Sequence, residues 1–168
     1  MLKKTSLLLF AVLIISNSAV FAQKTKYAFV QKDSILMSMP EMQEADKKLN
    51  DFVNQLQGEI TKMQTEYDSK VKNYEANKNS GNELVLNNQI QEINDLGKRI
   101  QDFQVNAQEE IIKKRTELYT PVADKFNKAL ETVANKKGYS AIFPSNVVLY
   151  FDPKDDITEL VLIELGIK

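Results

Sequence analysis

Glu41–Thr120 reads EMQEADKKLNDFVNQLQGEITKMQTEYDSKVKNYEANKNSGNELVLNNQIQEINDLGKRIQDFQVNAQEEIIKKRTELYT, eighty residues without a proline and with glycine only at Gly58, Gly81 and Gly97. A run of that length, rich in Glu, Lys, Gln and Asn, is long helix. Its apolar residues carry the helical period. From Met42 they fall at Ala45, Leu49, Phe52, Leu56, Ile60, Met63, Tyr67, Val71 and Tyr74, in steps of three and four. A second stripe runs through Ile90, Ile93, Leu96, Ile100, Phe103, Ala107, Ile111, Leu118 and Val122. Between the stripes, residues 77–82 (Asn-Lys-Asn-Ser-Gly-Asn) form a turn signal. Two helices with one narrow stripe each, joined by a short polar loop, fold back as an antiparallel coiled-coil hairpin with its tip at about residues 77–82. The first arm spans roughly 55 Å at 1.5 Å per residue. Its start, Ser38-Met39-Pro40-Glu41, fits a capping box with Ser38 as N-cap and Glu41 reaching back.

Working outward, both flanks of the hairpin carry short apolar segments. Tyr27–Val30 is a β-like run ahead of it. Behind it come Tyr139–Phe143 and Val147–Phe151, with Pro144-Ser145-Asn146 as a turn between them. Gly138 stands where a helix ending at Lys137 would place it. Asp156-Ile157-Thr158-Glu159 can cap a last short helix that runs to Leu165 and stops at Gly166. The fold class is therefore α+β. A body formed by residues 23–40 and 121–168 is interrupted by a helical arm over residues 41–120.

That body has roughly 65 residues, marginal for a self-sufficient core. Its strands are apolar on both faces, so they need cover on two sides and partners at their edges. A homo-oligomer answers both needs. Tyr27, Phe29, Ile142, Val148 and Tyr150 are the expected interface.

Residues 1–22 are expected to be removed. Lys3 and Lys4 precede an apolar run from Leu7 to Ile15, and Val20-Phe21-Ala22 presents small residues to a signal peptidase. The alternative is an uncleaved N-terminal anchor. Cleavage would take the net charge from −1 to −3, because Lys3 and Lys4 leave. No other apolar run is long enough to span a bilayer, so no membrane span is expected in the mature chain. The chain has no Cys and no His. That excludes disulfides, zinc ribbons, thiol nucleophiles and any His-dependent catalytic pair. A charge balance this close to neutral argues against nucleic-acid binding. The carboxylates lie along exposed helix faces with nothing to raise a pKa, so acid–base catalysis is not expected and no cofactor is called for. Asp152, Asp155 and Asp156 lack the spacing of a calcium loop, and capping is their expected role.

Three stretches together resemble the Skp/OmpH family of periplasmic chaperones. The first is Tyr27–Val30, then Ile35-Leu36-Met37 and Pro40-Glu41. The second runs from Pro121-Val122-Ala123-Asp124-Lys125-Phe126 to Lys137-Gly138-Tyr139. The third is Val148–Phe151 followed by Asp156-Ile157-Thr158 and the closing helix. The resemblance implies a homotrimer in the periplasm. Its bodies would form a small β-barrel, and its three hairpins would enclose a cavity that holds unfolded outer-membrane proteins without nucleotide. Family members are often strongly basic, and this chain departs from that pattern. The alternative function is a structural coiled-coil adaptor or spacer in the envelope, binding one folded partner.

Six residues are candidate client contacts. Val53, Val105 and Ile112 are apolar but stand off the two stripes. Lys113, Lys114 and Arg115 belong to residues 113–137, where seven Lys/Arg face three acids near the arm base. Gly58, Gly97 and Pro121 are candidate hinges. Each glycine costs about 1 kcal/mol against Ala inside a helix and would either bend the arm or merely be tolerated. Pro121 either kinks a continuous helix or stands first in a new one capped by Thr120.

Overall fold

The computed structural model describes residues 25–79 and 82–167. The expected leader, and Ser80 and Gly81 of the tip, lie outside the described residues. Strand β1 (Tyr27–Val30) leads into the short helix α1 (Lys32–Ser38). Helices α2 (Pro40–Asn77) and α3 (Glu83–Lys137) follow, then strand β2 (Ala141–Pro144) and helix α4 (Thr158–Leu165). The architecture is α+β: a helical hairpin carried by a small body around a two-stranded sheet.

Helices α2 and α3 run antiparallel, as three cross-arm pairs establish. Glu41 pairs with Lys125, Asp46 accepts the Tyr119 hydroxyl at 2.6 Å, and Glu92 binds Lys70 at 2.6 Å. As the residue number climbs in α2 it falls in α3. Every member of the first apolar stripe, from Met42 to Tyr74, is buried or half-buried. The second stripe holds from Ile93 to Val122, but Ile90 is exposed. Leu86 and Gln89 take the inward places near the tip instead, since three- and four-residue steps from Ile93 allow either set.

The start of α2 corrects the capping box. Ser38 ends α1, and its hydroxyl donates to the Ser34 carbonyl at 2.8 Å. Met39 is the N-cap of α2 and Pro40 its first residue, with the proline ring fixing the helical φ. Glu41 turns to Lys125 rather than back to its own helix. At the tip, the Asn82 side chain caps α3 by accepting from the Leu84 backbone N–H at 2.9 Å. Pro121 lies inside α3, which continues past it to Lys137, so Thr120 starts no new helix. Gly138 and Gly166 close α3 and α4 in the left-handed region, with φ of 70° and 75°, where a Cβ would be strained.

Both chain ends build the body. Strand β1 lies parallel to β2, with Tyr27 opposite Ala141 and Phe29 opposite Phe143. The other edge of β1 bridges to Asp156, and the Ile157 N–H donates to the Phe29 carbonyl at 2.9 Å. Asp156 then ties the ends together. It accepts from the Thr158 N–H and hydroxyl and from the Gln31 amide, while the Gln31 N–H donates to the Thr158 hydroxyl. The core beneath holds Ala28, Val30, Ile35, Met39, Phe126, Ile157 and Val161, drawn from the segments before α2 and around α4 and from the body end of α3.

The expected strand over Val147–Phe151 is absent from the single chain. Ser145–Val147 is one turn of 3-10 helix, and Val148 is extended but joins no ladder. The turn at Pro144-Ser145-Asn146 is present, yet it does not fold the segment back onto β2. The composition is that of a strand, but a strand also needs an edge to pair with.

Candidate functional site: the arm flank and the open edge of the body

Among the described residues, two uncovered regions bring several apolar side chains together. The first is the aromatic face of the sheet. Residues opposite one another in a ladder share a face, so the parallel register sets Tyr27, Phe29 and Phe143 on one side and turns Ile142 to the core side with Ala28. Phe151 stacks on Phe29 with ring centroids 4.6 Å apart, and Phe143 lies 6.1 Å from both Tyr27 and Phe29. Just before Phe151 the chain is bare: Leu149 is 108% exposed and Tyr150 82%. Of the five residues expected at an interface, Tyr27 and Tyr150 are exposed, Phe29 and Val148 are half-buried, and Ile142 packs against the core. Sequence reasoning left out Phe143, Val147 and Leu149, all exposed here. The signal for Phe143 was the register with Phe29, which a sequence does not display.

The second region is a flank of the hairpin. Where α2 meets α3 midway along the arm, a groove of about 520 Å³ opens on one side. Val53, Leu56, Ile60, Val105, Ala107 and Ile111 give its apolar floor, and Gln57, Gln101, Gln104 and Gln108 frame it. The small Ala107 leaves the space that a larger stripe residue would fill. Helical spacing extends the same side of α2 through Asn50, Asn54, Thr61 and Gln64, and of α3 to Ile112. None of these residues is charged. The opposite side of the hairpin carries the ion pairs Lys48–Glu44 and Lys62–Glu59.

The structure thus brings Val53 and Val105 into one groove, while Ile112, one heptad beyond Val105 on the same helix face, stands outside its lining. Val105 and Ile112 are 57% and 63% exposed; single exposed apolar side chains are ordinary, and what distinguishes these two is that they share one helix face. Lys113, Lys114 and Arg115 are not brought together, because consecutive helical residues point in different directions. Lys113 pairs with Glu110 at 3.7 Å and Lys114 with Glu117 at 3.0 Å. Arg115 stays on the side of Ile112, near enough to Tyr119 to act on its phenol. That phenol is held above its usual pKa, first by its hydrogen bond to Asp46 and then by burial. Lys125 and Lys136 are likewise paired, with Glu41 and Glu164. The excess positive charge of residues 113–137 is therefore largely compensated by acids from elsewhere in the chain.

The candidate hinges differ among themselves. Gly58 is exposed, and a Cβ there would meet nothing within 4 Å. Gly97 faces the other arm, where a Cβ would stand 3.5 Å from the Tyr67 ring. Pro121 removes one helical hydrogen bond at the arm base, where Leu118 and Val122 still pack inward. Asp152 and Asp156 serve as turn and helix caps, accepting from the backbone N–H groups of Lys154 and Thr158. Among the described residues no cluster of three acids is arranged to hold a metal ion, and no helix is long and apolar enough to cross a membrane.

Comparison with known proteins places this geometry. A protein of Aquifex aeolicus (strain VF5) is 37% identical over 116 residues, which cover 66% of this chain and 72% of that protein. The chaperone protein Skp of Yersinia enterocolitica is 28% identical over 144 residues, covering 83% of this chain and 85% of its own. A solved OmpH-like chain from Caulobacter crescentus CB15 shares the fold with a TM-score of 0.75 at 19% identity, covering 84% of this chain and 83% of that one. The family model for outer membrane protein (OmpH-like) matches residues 26–165, from the first residue before β1 to the last of α4. With body and arm both inside that match, this chain belongs to the OmpH-like outer membrane protein family.

Proposed function

We propose that this protein is an ATP-independent holdase of the periplasm, exported through a cleaved leader at residues 1–22. It acts as a homotrimer whose three hairpins enclose unfolded outer-membrane β-barrel proteins. The observation that carries the reading is the pairing, in one OmpH-like chain, of a bare apolar body edge with an arm that has only a shallow wet groove. The body edge calls for further copies of the chain, because Leu149 and Tyr150 have nothing to pack on within one copy. Three copies multiply weak arm contacts into useful retention.

A shallow groove suits the work. A chaperone without nucleotide must release what it holds, so many weak contacts serve better than one deep pocket. Nothing in the reading uses a cofactor, a nucleic acid or a catalytic group, and the relatives named above as chaperones carry that role themselves. The test is aggregation. A urea-unfolded outer-membrane β-barrel protein is diluted into buffer with and without the chain from Gln23 onward, and turbidity is followed. Suppression at about one trimer per client, unchanged by ATP, is the expected result. Unchecked aggregation, with binding instead to a single folded envelope protein, would favour a structural adaptor.

A further inference from the structure

The uncharged groove on the flank of the arm has a chemistry of its own. We infer that it is the surface on which the arm grips its client, and that what it takes is an extended, weakly charged chain with alternating apolar and polar side chains. The inference rests on the holdase reading and adds to it the face used and the chemistry recognised.

Three observations converge on this flank. First, the groove sets apolar Val53, Ile60 and Val105 among Gln57, Gln101 and Gln108. Each amide can donate and accept at once. An unfolded segment lying in the groove presents backbone N–H and C=O groups that have lost their water, and such groups need partners of both kinds. Second, no charge has to be stripped of water when the groove is covered. The other flank would require that, since its lysines and glutamates are paired in solvent. Third, the occupant that complements such a surface is itself nearly uncharged. Strands of membrane β-barrels alternate apolar and polar residues, and their lipid-facing set excludes charge. A folded partner offers no free backbone, and a cation-led mode is disfavoured because Lys113, Lys114, Lys125 and Lys136 are already paired and Arg115 stands outside the groove lining.

Two readouts on the full mature chain test this. A photo-crosslinking residue is placed at Gln101, in the groove, or at Asn106, turned away from it by helical spacing. The chain is then mixed with a urea-unfolded β-barrel protein. Client adducts at Gln101 with few at Asn106 are expected. In parallel, Gln57→Asp, Gln101→Asp and Gln108→Asp together should weaken capture at least about tenfold by placing unpaired charges under the client. The control pair Gln55→Asp and Asn106→Asp should change it less than about twofold, as expected of charges that remain in solvent. Raising the salt should leave wild-type capture within about twofold, since no ion pair is formed.

The possible failures separate cleanly. A wild type that leaves the client to aggregate overturns the holdase reading and this inference with it. A wild type that captures the client but crosslinks equally at both positions, or loses about tenfold in high salt, overturns the inference alone. Adducts from Gln101 to a second copy of the chain without client would assign the flank to arm–arm contact and likewise overturn it. Circular dichroism of the triple variant checks that the arm still folds. If it does not, the crosslinks, made in otherwise native chains, decide.

Discussion

The body and the arm solve the same problem with different means. The body is short of residues, so it gathers both ends of the chain and the foot of α3 around one core. Ala28, Ile35, Met39 and Val161 there are completely covered. The arm has residues in plenty but only two helices, and two helices bury one line between them. Along it Leu49, Leu96, Ile100 and Ala107 are buried, with Ala45 and Val122 at the base, and the other described stripe residues are half-buried or, like Ile90, exposed. The body is thus a cooperative unit with an unfinished edge, and the arm a nearly one-dimensional element with little stability per turn. A rigid body and a compliant arm follow from that difference.

Removing a core side chain from each region tests the contrast most severely. Phe126→Ala, in the body, should cost about 3–5 kcal/mol and abolish assembly along with the body's cooperative transition. Leu96→Ala, though 1% exposed, lies in the arm. It should cost about 2–3 kcal/mol, lowering the melting of the hairpin while the oligomer persists. Thermal melts followed by circular dichroism, paired with scattering mass, read both. Equal loss of assembly in the two variants would break the distinction.

A smaller effect should sharpen it. Leu149→Ser with Tyr150→Ser removes two side chains that touch little within one chain, so the isolated fold should be indifferent. The oligomer should lose about 1.5–3 kcal/mol per buried side chain, seen as dissociation on dilution. A variant that stays assembled at all concentrations would mean the bare edge is not the interface.

Gly58→Ala should stabilise the arm by about 0.5–1 kcal/mol, since nothing opposes the new Cβ. Gly97→Ala should do nearly as well, its Cβ reaching ordinary contact with Tyr67. If the double variant also keeps its arm spread and client range, neither glycine is a hinge.

The smallest effect belongs to the clasp at Asp156. Burial would raise its pKa, but the hydrogen bonds from Thr158 and Gln31 outweigh that and hold it below the ordinary value. A depressed pKa adds stability above the unfolded value and loses it as pH falls through the folded one. Asp156→Asn should cost about 0.5–1 kcal/mol at neutral pH, and the gap to wild type should close in acid, below the ordinary Asp range. Denaturant melts across pH measure it.

What the sequence discloses follows the same division. The arm was legible almost whole, because periodicity is a local property and a two-helix hairpin has little else to decide it. Its one slip, Ile90 for Leu86 and Gln89, came near the tip, where either spacing fits. The body was legible only in outline. Gly138 and Gly166 marked helix ends correctly because left-handed caps are local too. Val147–Phe151 has the composition of a strand, but pairing is supplied by whatever lies alongside, and one chain supplies nothing. Ser38 looked like a cap because Ser-x-x-Glu is a local pattern, while Lys125, which draws Glu41 away, is 84 residues distant. At the candidate site, Val53, Val105 and Ile112 were visible as apolar residues out of step. That they share one flank beside an uncharged groove, and that Lys113 and Lys114 do not, required the antiparallel register of the two helices.

The central claim is that the body assembles so that the arms can hold an unfolded chain between them. Light-scattering mass after size exclusion tests it directly, with the chain from Gln23 onward run alone and then after dilution of a urea-unfolded outer-membrane β-barrel protein into it. The account predicts a three-chain mass that shifts to three chains plus one client. A monomer at micromolar concentration, or a trimer that passes through the column unchanged while the client aggregates, would contradict it.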